Sequence, residues 1–271
     1  SSSFYTNHNA LSRHHGSLAE RLRNLSSPTD TEFSVIPSKN KALTVSVATG
    51  SSHPQFLHSA YDPVREGEDI AAHEYDPAVG LFIVVGFGAG HHCIAVHKRL
   101  TPAQRLIILE PHPALFRAVL AAGVYRELCQ DERVTFIVDA DEGRREEKLK
   151  TILFRLLFSE ASLVRVRVLP FYERWPRYAA YAQGIAPLVH TYLDALRGIT
   201  TTIREYVATL RAEGTSKVFL GDFKQCLAQY REKAAGSTPL RPVDVGMLST
   251  YFLFSYYSYA EAYAEGAAGG T

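Results

Sequence analysis

The run Val84-Val85-Gly86-Phe87-Gly88-Ala89-Gly90 stands between an apolar stretch and a helix-forming one, a place where glycines have chemical meaning. Lacking side chains, they let the chain turn tightly and bring bare N–H groups close to a phosphate, carboxylate or ribose. The spacing is Gly-x-Gly-x-Gly, and His91 takes the sixth position, where the dinucleotide fingerprint has glycine. That departs from an NAD site and leans toward an S-adenosylmethionine or nucleotide-type loop. Glu110 closes the next apolar run, where an acid can accept hydrogen bonds from ribose hydroxyls, and Asp139 closes the one after it, with Asp141 close behind. Gly86, Gly88, Gly90, Glu110 and Asp139 are therefore the expected cofactor-binding set, their amides open at the sheet rim and facing the two acids. The plainer role is close helix-to-strand packing for the glycines and capping or hydration for the acids.

Other chemistries find less support. A methyltransferase would place an acid or amide with proline and an aromatic after its fourth strand, and Leu169-Pro170-Phe171-Tyr172 lacks the acid or amide. The chain has 11 histidines, and His91, His92, His97 and His112 fall near one sheet edge, but no His-Glu-x-x-His or Cys/His pair of zinc spacing occurs. No metal site is predicted. Cys93 sits near a helix start that could favour thiolate, but a buried packing cysteine is the favoured reading. No Gly-x-Ser-x-Gly elbow and no Walker-A loop is present, so no catalytic residue is assigned.

The elements that must hold these residues follow from hydropathy. Apolar positions at Leu11, Leu18, Leu22 and Leu25 predict one helix over 9–25, ended by the breaker at 26–28. Three β-prone runs, Phe33–Ile36, Leu43–Val47 and Gln55–His58, predict a small meander with turns at 37–40 and 49–52. Asp62 as N-cap and Pro63 at the first helical position start a helix to about His73. Strands at Leu81–Val85, Leu106–Leu109, Val134–Val138 and Leu163–Leu169 alternate with helices at Gly90–Leu100, Ala114–Ala121 and Glu142–Phe158. Continuous apolar strands between helices mark a parallel sheet covered on both faces. Beyond Pro170 only helical patterns remain, at 176–197, 200–212, 216–233 and 243–265, with breaks at Gly198, Gly214 and 237–239 and a frayed tail from Gly266. The predicted fold is α/β: a Rossmann-like, mostly parallel sheet over 61–175, preceded by a helix and β meander over 1–60 and followed by a helical region over 176–271.

Composition bounds the function. With 271 residues, 46% hydrophobic, the chain can bury a proper core, which excludes a disordered or fibrous protein. A net charge of +1 argues against a dedicated nucleic-acid binder. Three cysteines without Cys-x-x-Cys spacing point to a reducing cytoplasm, and the polar start lacks a signal-peptide layout. The uncharged stretch Val245–Ala260 is short and tyrosine-rich for a membrane span. Its aromatics, from Tyr251 to Tyr263, surround a helix on most sides and call for burial in this chain's core, a second copy or a partner subunit.

Three ordered motifs, His58-Ser59-Ala60-Tyr61-Asp62-Pro63-Val64-Arg65-Glu66-Gly67-Glu68, Val85-Gly86-Phe87-Gly88-Ala89-Gly90-His91-His92 and Ile108-Leu109-Glu110-Pro111, resemble the motility accessory factor family, bacterial proteins with an MptE-like (DUF115) glycosyltransferase domain. The resemblance covers about residues 4 to 175, with Gly67 where the family often has Ala and His91 where it often has Tyr. It singles out His58, Tyr61, Asp62, Glu66 and His92 as motif residues. It implies a cytoplasmic role in flagellin glycosylation with nonulosonic sugars from a CMP-activated donor. The family's Gly-x-Gly-Pro-Ser-Leu loop, which opens its catalytic module, does not occur after Pro170, so the resemblance extends to a non-catalytic part or a shortened paralogue. The other classes are an S-adenosylmethionine-dependent enzyme and a scaffold that keeps the fold without its ligand.

Overall fold

A computed structural model describes residues 2–25, 32–48, 53–159, 165–169, 171, 175–234 and 239–268, without the side chains of 157–159, 177 and 258–268. The expected breaker at 26–28, the turn at 49–52, the strand start at 163–164, Pro170 and Tyr172, positions 237–238 of the last turn and the final three residues lie outside that set. Two compact units divide the chain, Ser1–Ala186 and Pro187–Thr271.

The first unit opens with two helices where the periodicity predicts one: α1 (Ser2–Ser12) and α2 (Gly16–Asn24). Phe4, Asn7, Ala10 and Leu11 form the buried face of α1, which packs on α5 and α6. The polar look of this segment hides that spacing because its other positions, Tyr5 apart, are serine, threonine, histidine and asparagine. An antiparallel meander follows, β1 (Phe33–Pro37), β2 (Leu43–Val47) and β3 (Gln55–Phe56). Then come α3 (Pro63–Glu74), β4 (Leu81–Val85), α4 (His91–Arg99), β5 (Arg105–Glu110), α5 (Pro113–Ala122), α6 (Arg126–Gln130), β6 (Val134–Val138), α7 (Glu142–Ser159) and β7 (Val166–Leu169). Only the short α6 lacks an expected counterpart in this stretch. At five residues it is too brief for periodicity to register.

The four later strands make a parallel sheet in the order β6-β5-β4-β7. Every residue of β4 is buried, as a strand covered on both faces must be. The order reverses between β4 and β7, so the crevice at their carboxyl ends is where open α/β sheets receive ligands. The glycine loop leaves β4 at that point.

The long helix α8 (Pro176–Ala212) begins in the first unit and continues into the second, with α9 (Leu220–Lys233) and α10 (Pro242–Ala268). The break expected at Gly198 does not occur. A Cβ there would lie 3.0 Å from the Tyr230 ring, so the glycine serves close packing of α9 on α8. Phe252 of α10 is fully buried against Phe223 and near Tyr206, and buried Asp244 pairs with Arg241 at 2.6 Å. On the opposite stripe of α10, Val243, Met247, Phe254 and Tyr257 are exposed. Among the described residues, no helix is long and apolar enough to cross a membrane.

Candidate functional site

Gly86, Gly88 and Gly90 all take positive φ, +92°, +51° and +77°, the left-handed region that side chains resist. The glycines thus answer a real backbone demand. The space above them, however, is filled by this chain's own rings. A Cβ on Gly86 would fall 2.5 Å from the Tyr178 ring, and one on Gly88 would fall 3.0 Å from Phe171 and 3.1 Å from His58 Nε2. Phe171 follows β7 and Tyr178 lies in the first turns of α8, so both enter the crevice from the far side of the switch point. His92 stacks on Phe171 with ring centres 3.7 Å apart and bonds the Gly86 carbonyl at 3.1 Å. His58 stacks on the same ring at 4.7 Å.

Glu110 also serves this closed arrangement. Its carboxylate is wholly buried and accepts hydrogen bonds from the Phe87 N–H (2.8 Å), the His112 N–H (2.8 Å) and the Tyr178 hydroxyl (2.7 Å). The Gly88 N–H points at the Tyr178 oxygen, 3.4 Å away. Burial pushes the Glu110 carboxyl up to about 7, against the lowering pull of those same donors. The loop amides expected to face solvent are thus satisfied internally, because an aromatic helix start and a strand-end acid meet them from opposite sides.

Asp139 lies elsewhere. It follows β6, two strands from β4, a separation of about 10 Å at ordinary strand spacing. Its carboxylate pairs with Arg144 (2.9 Å), Lys148 (3.0 Å) and Arg21 (3.2 Å). Burial alone would raise it, but hydrogen bonds from Arg144 and Lys148 outweigh that and hold it well below the usual carboxylate range. The structure therefore joins Gly86, Gly88 and Glu110 in one cluster and leaves Asp139 in another.

The motif residues around α3 are joined by local bonds. Asp62 accepts the Arg65 N–H at 3.1 Å as an N-cap. Glu66 accepts the Ser59 N–H at 2.7 Å and lies 3.4 Å from His58 Nδ1. Gly67 has a steric reason, since a Cβ there would meet the His91 backbone at 2.7 Å where α3 packs on α4. Tyr61 is the exposed member, with Lys39 Nζ 4.1 Å from its ring centre. Cys93 is fully buried, and burial pushes its thiol well above the ordinary value, which suits packing better than nucleophilic attack. Among the described residues, no group of three His, Cys, Asp or Glu side chains is placed to hold a metal ion.

Residue spacing does not single out Tyr178 and Phe171, which close the loop, or Trp175, which packs on Tyr178, as site residues. Their signal is the aromatic run after β7, where a methyltransferase would carry its acid or amide.

No protein-family model and no curated protein matches the sequence. A solved structure, that of a MAf glycosyltransferase from Magnetospirillum magneticum AMB-1, superposes with a TM-score of 0.51 at 14% identity, over 76% of this chain. The chain is MAf-like in fold. It spans 38% of that glycosyltransferase's length. At this identity the MAf likeness describes architecture: a parallel α/β sheet with a meander before it and helices after it.

Proposed function

We propose that the chain is a non-catalytic, Rossmann-like part of a motility-accessory-factor-like glycosyltransferase system, one that holds a flagellin-side partner while transfer from a CMP-sugar takes place in another module. The observation that carries this reading is the closed glycine loop, whose amides and free space are taken by Glu110, Tyr178 and Phe171. A sugar nucleotide would have to displace all three. The three motifs and the MAf-like fold support the family context. The exposed apolar stripe on α10, from Val243 to Tyr257, supplies a surface of the kind that helical docking uses.

Calorimetry tests the reading directly. CMP, a CMP-activated nonulosonic sugar, S-adenosylmethionine and NAD should each show no binding that Gly88→Trp abolishes, whereas flagellin should associate, with Phe254→Asp weakening that association at least tenfold. Saturable CMP binding lost in Gly88→Trp would overturn the proposal in favour of an occupied nucleotide loop. Saturable S-adenosylmethionine binding would replace it with the methyl-transfer class.

A further inference from the structure

A second region at the carboxyl edge of the sheet is open where the glycine loop is closed. A groove of about 550 Å³ lies beside the end of β6, lined by Leu18, Leu22, Pro113 and Val138 with Arg21 and Arg144 among its polar members. That volume is within the ordinary range for small-molecule sites.

The charges around this groove are out of balance. The Asp139 carboxylate, 2% exposed, is shared by Arg21, Arg144 and Lys148. Arg145, 4% exposed, bonds the Asp139 carbonyl and lies with its guanidinium 4.0 Å from the Tyr181 ring centre. Among the described residues, no carboxylate lies within ion-pair distance of Arg145. Four cations thus gather about Asp139, with Asp141 acting on Arg144 and Glu110 on Arg145 from beyond ion-pair distance. Glu20 stands on the rim, and Asp141 accepts the Arg144 N–H at 2.8 Å, but among the described residues neither ion-pairs with any of the four. The N-terminus of the 18-residue α7 begins at Glu142 and adds its positive dipole end.

The three outer cations keep 44–65% of their side-chain surface exposed, so they retain donors for another acceptor. Arginine forks match phosphate geometry, and charge-assisted bonds to a dianion are the strong kind. We propose that this groove binds an organic phosphate: a phosphomonoester held by Arg21 and Arg144, with Lys148 behind them on Asp139, and with its apolar body against Leu18, Leu22 and Val138. A dianion supplies the charge the cluster lacks, and the leucines select against a bare inorganic ion. The inference is independent of the closed glycine loop and of any partner.

The probe is 1-naphthyl phosphate, titrated into the full chain by calorimetry beside 1-naphthol and inorganic phosphate. The phosphomonoester should bind at least tenfold tighter than either control, and its affinity should fall as salt is raised. Arg21→Gln and Arg144→Gln should each weaken it about tenfold, the loss of one charge-assisted contact. Glu20→Gln, an exposed change that leaves the fold intact, should tighten it severalfold by removing the rim's negative charge. No binding, equal affinity for naphthol and its phosphate, or an affinity unmoved by Glu20→Gln would each overturn the proposal.

Discussion

Gly86→Ala is expected to cost about 3–5 kcal/mol of folding stability, the combined effect of a left-handed backbone and an overpacked ring. At φ +92° any Cβ is strained, and here that Cβ would fall 2.5 Å from a Tyr178 ring that is itself fully buried. The two contributions separate in a double-mutant cycle with Tyr178→Ala. Removing the ring relieves the clash and leaves the backbone strain, so the pair should show a coupling of about 1–3 kcal/mol. Trp175, the single tryptophan, packs edge-on to Tyr178 with ring centres 5.1 Å apart, so its fluorescence during urea unfolding reports on this unit. An open ligand cradle predicts something different: a smaller loss confined to backbone strain, and no coupling to Tyr178. Zero coupling would therefore remove the basis for the closed loop.

The sheet is legible because its strands are continuous apolar runs, and Leu81–Val85 and Val134–Val138 fall where hydropathy places them. Asp62 and Pro63 fix the start of α3 through cap chemistry, which is local and needs no tertiary context. The glycine loop is legible as a backbone, since three positive φ values follow from three glycines. What occupies it is not. Tyr178 lies 90 positions beyond Gly88, and no spacing rule connects a strand-end turn with a helix that begins after the fourth strand. Glu110 shows the same limit in another form. A strand-end acid reads identically whether it reaches for a ribose or for a neighbouring N–H, and only the entry of Tyr178 decides between them. Gly198 and the two helices α1 and α2 mislead in the other direction, because glycine for close packing resembles a break, and serine and histidine on an outer face resemble a tail.

Glu110→Gln should change how stability depends on pH. In the unfolded chain this carboxyl titrates near 4.5, whereas in the folded protein burial pushes it up to about 7. The folded state therefore binds more protons between those values, and stability present below pH 4.5 is lost as pH rises through 7. The loss amounts to about 3 kcal/mol, the free-energy equivalent of the raised pKa. A glutamine amide cannot ionise, so that slope disappears in the variant. Burial lowers His15 and His91 in the same pH range, which gives a slope of opposite sign, but both histidines are present in both proteins and cancel in the comparison. At pH 5 the glutamine variant should be the weaker by about 1–2 kcal/mol, because its amide nitrogen cannot accept a hydrogen bond and leaves either the Phe87 or the His112 N–H, both served by Glu110, without its partner. At pH 8 the gap should close or reverse. Parallel urea titrations at the two pH values measure it, and a wild-type-minus-variant difference that stays constant would show that Glu110 is not a buried titrating acid. The same ionisation bears on function. Above pH 7 a carboxylate occupies the Phe87 amide that an incoming phosphate would require, so the loop repels an anion electrostatically as well as excluding it sterically.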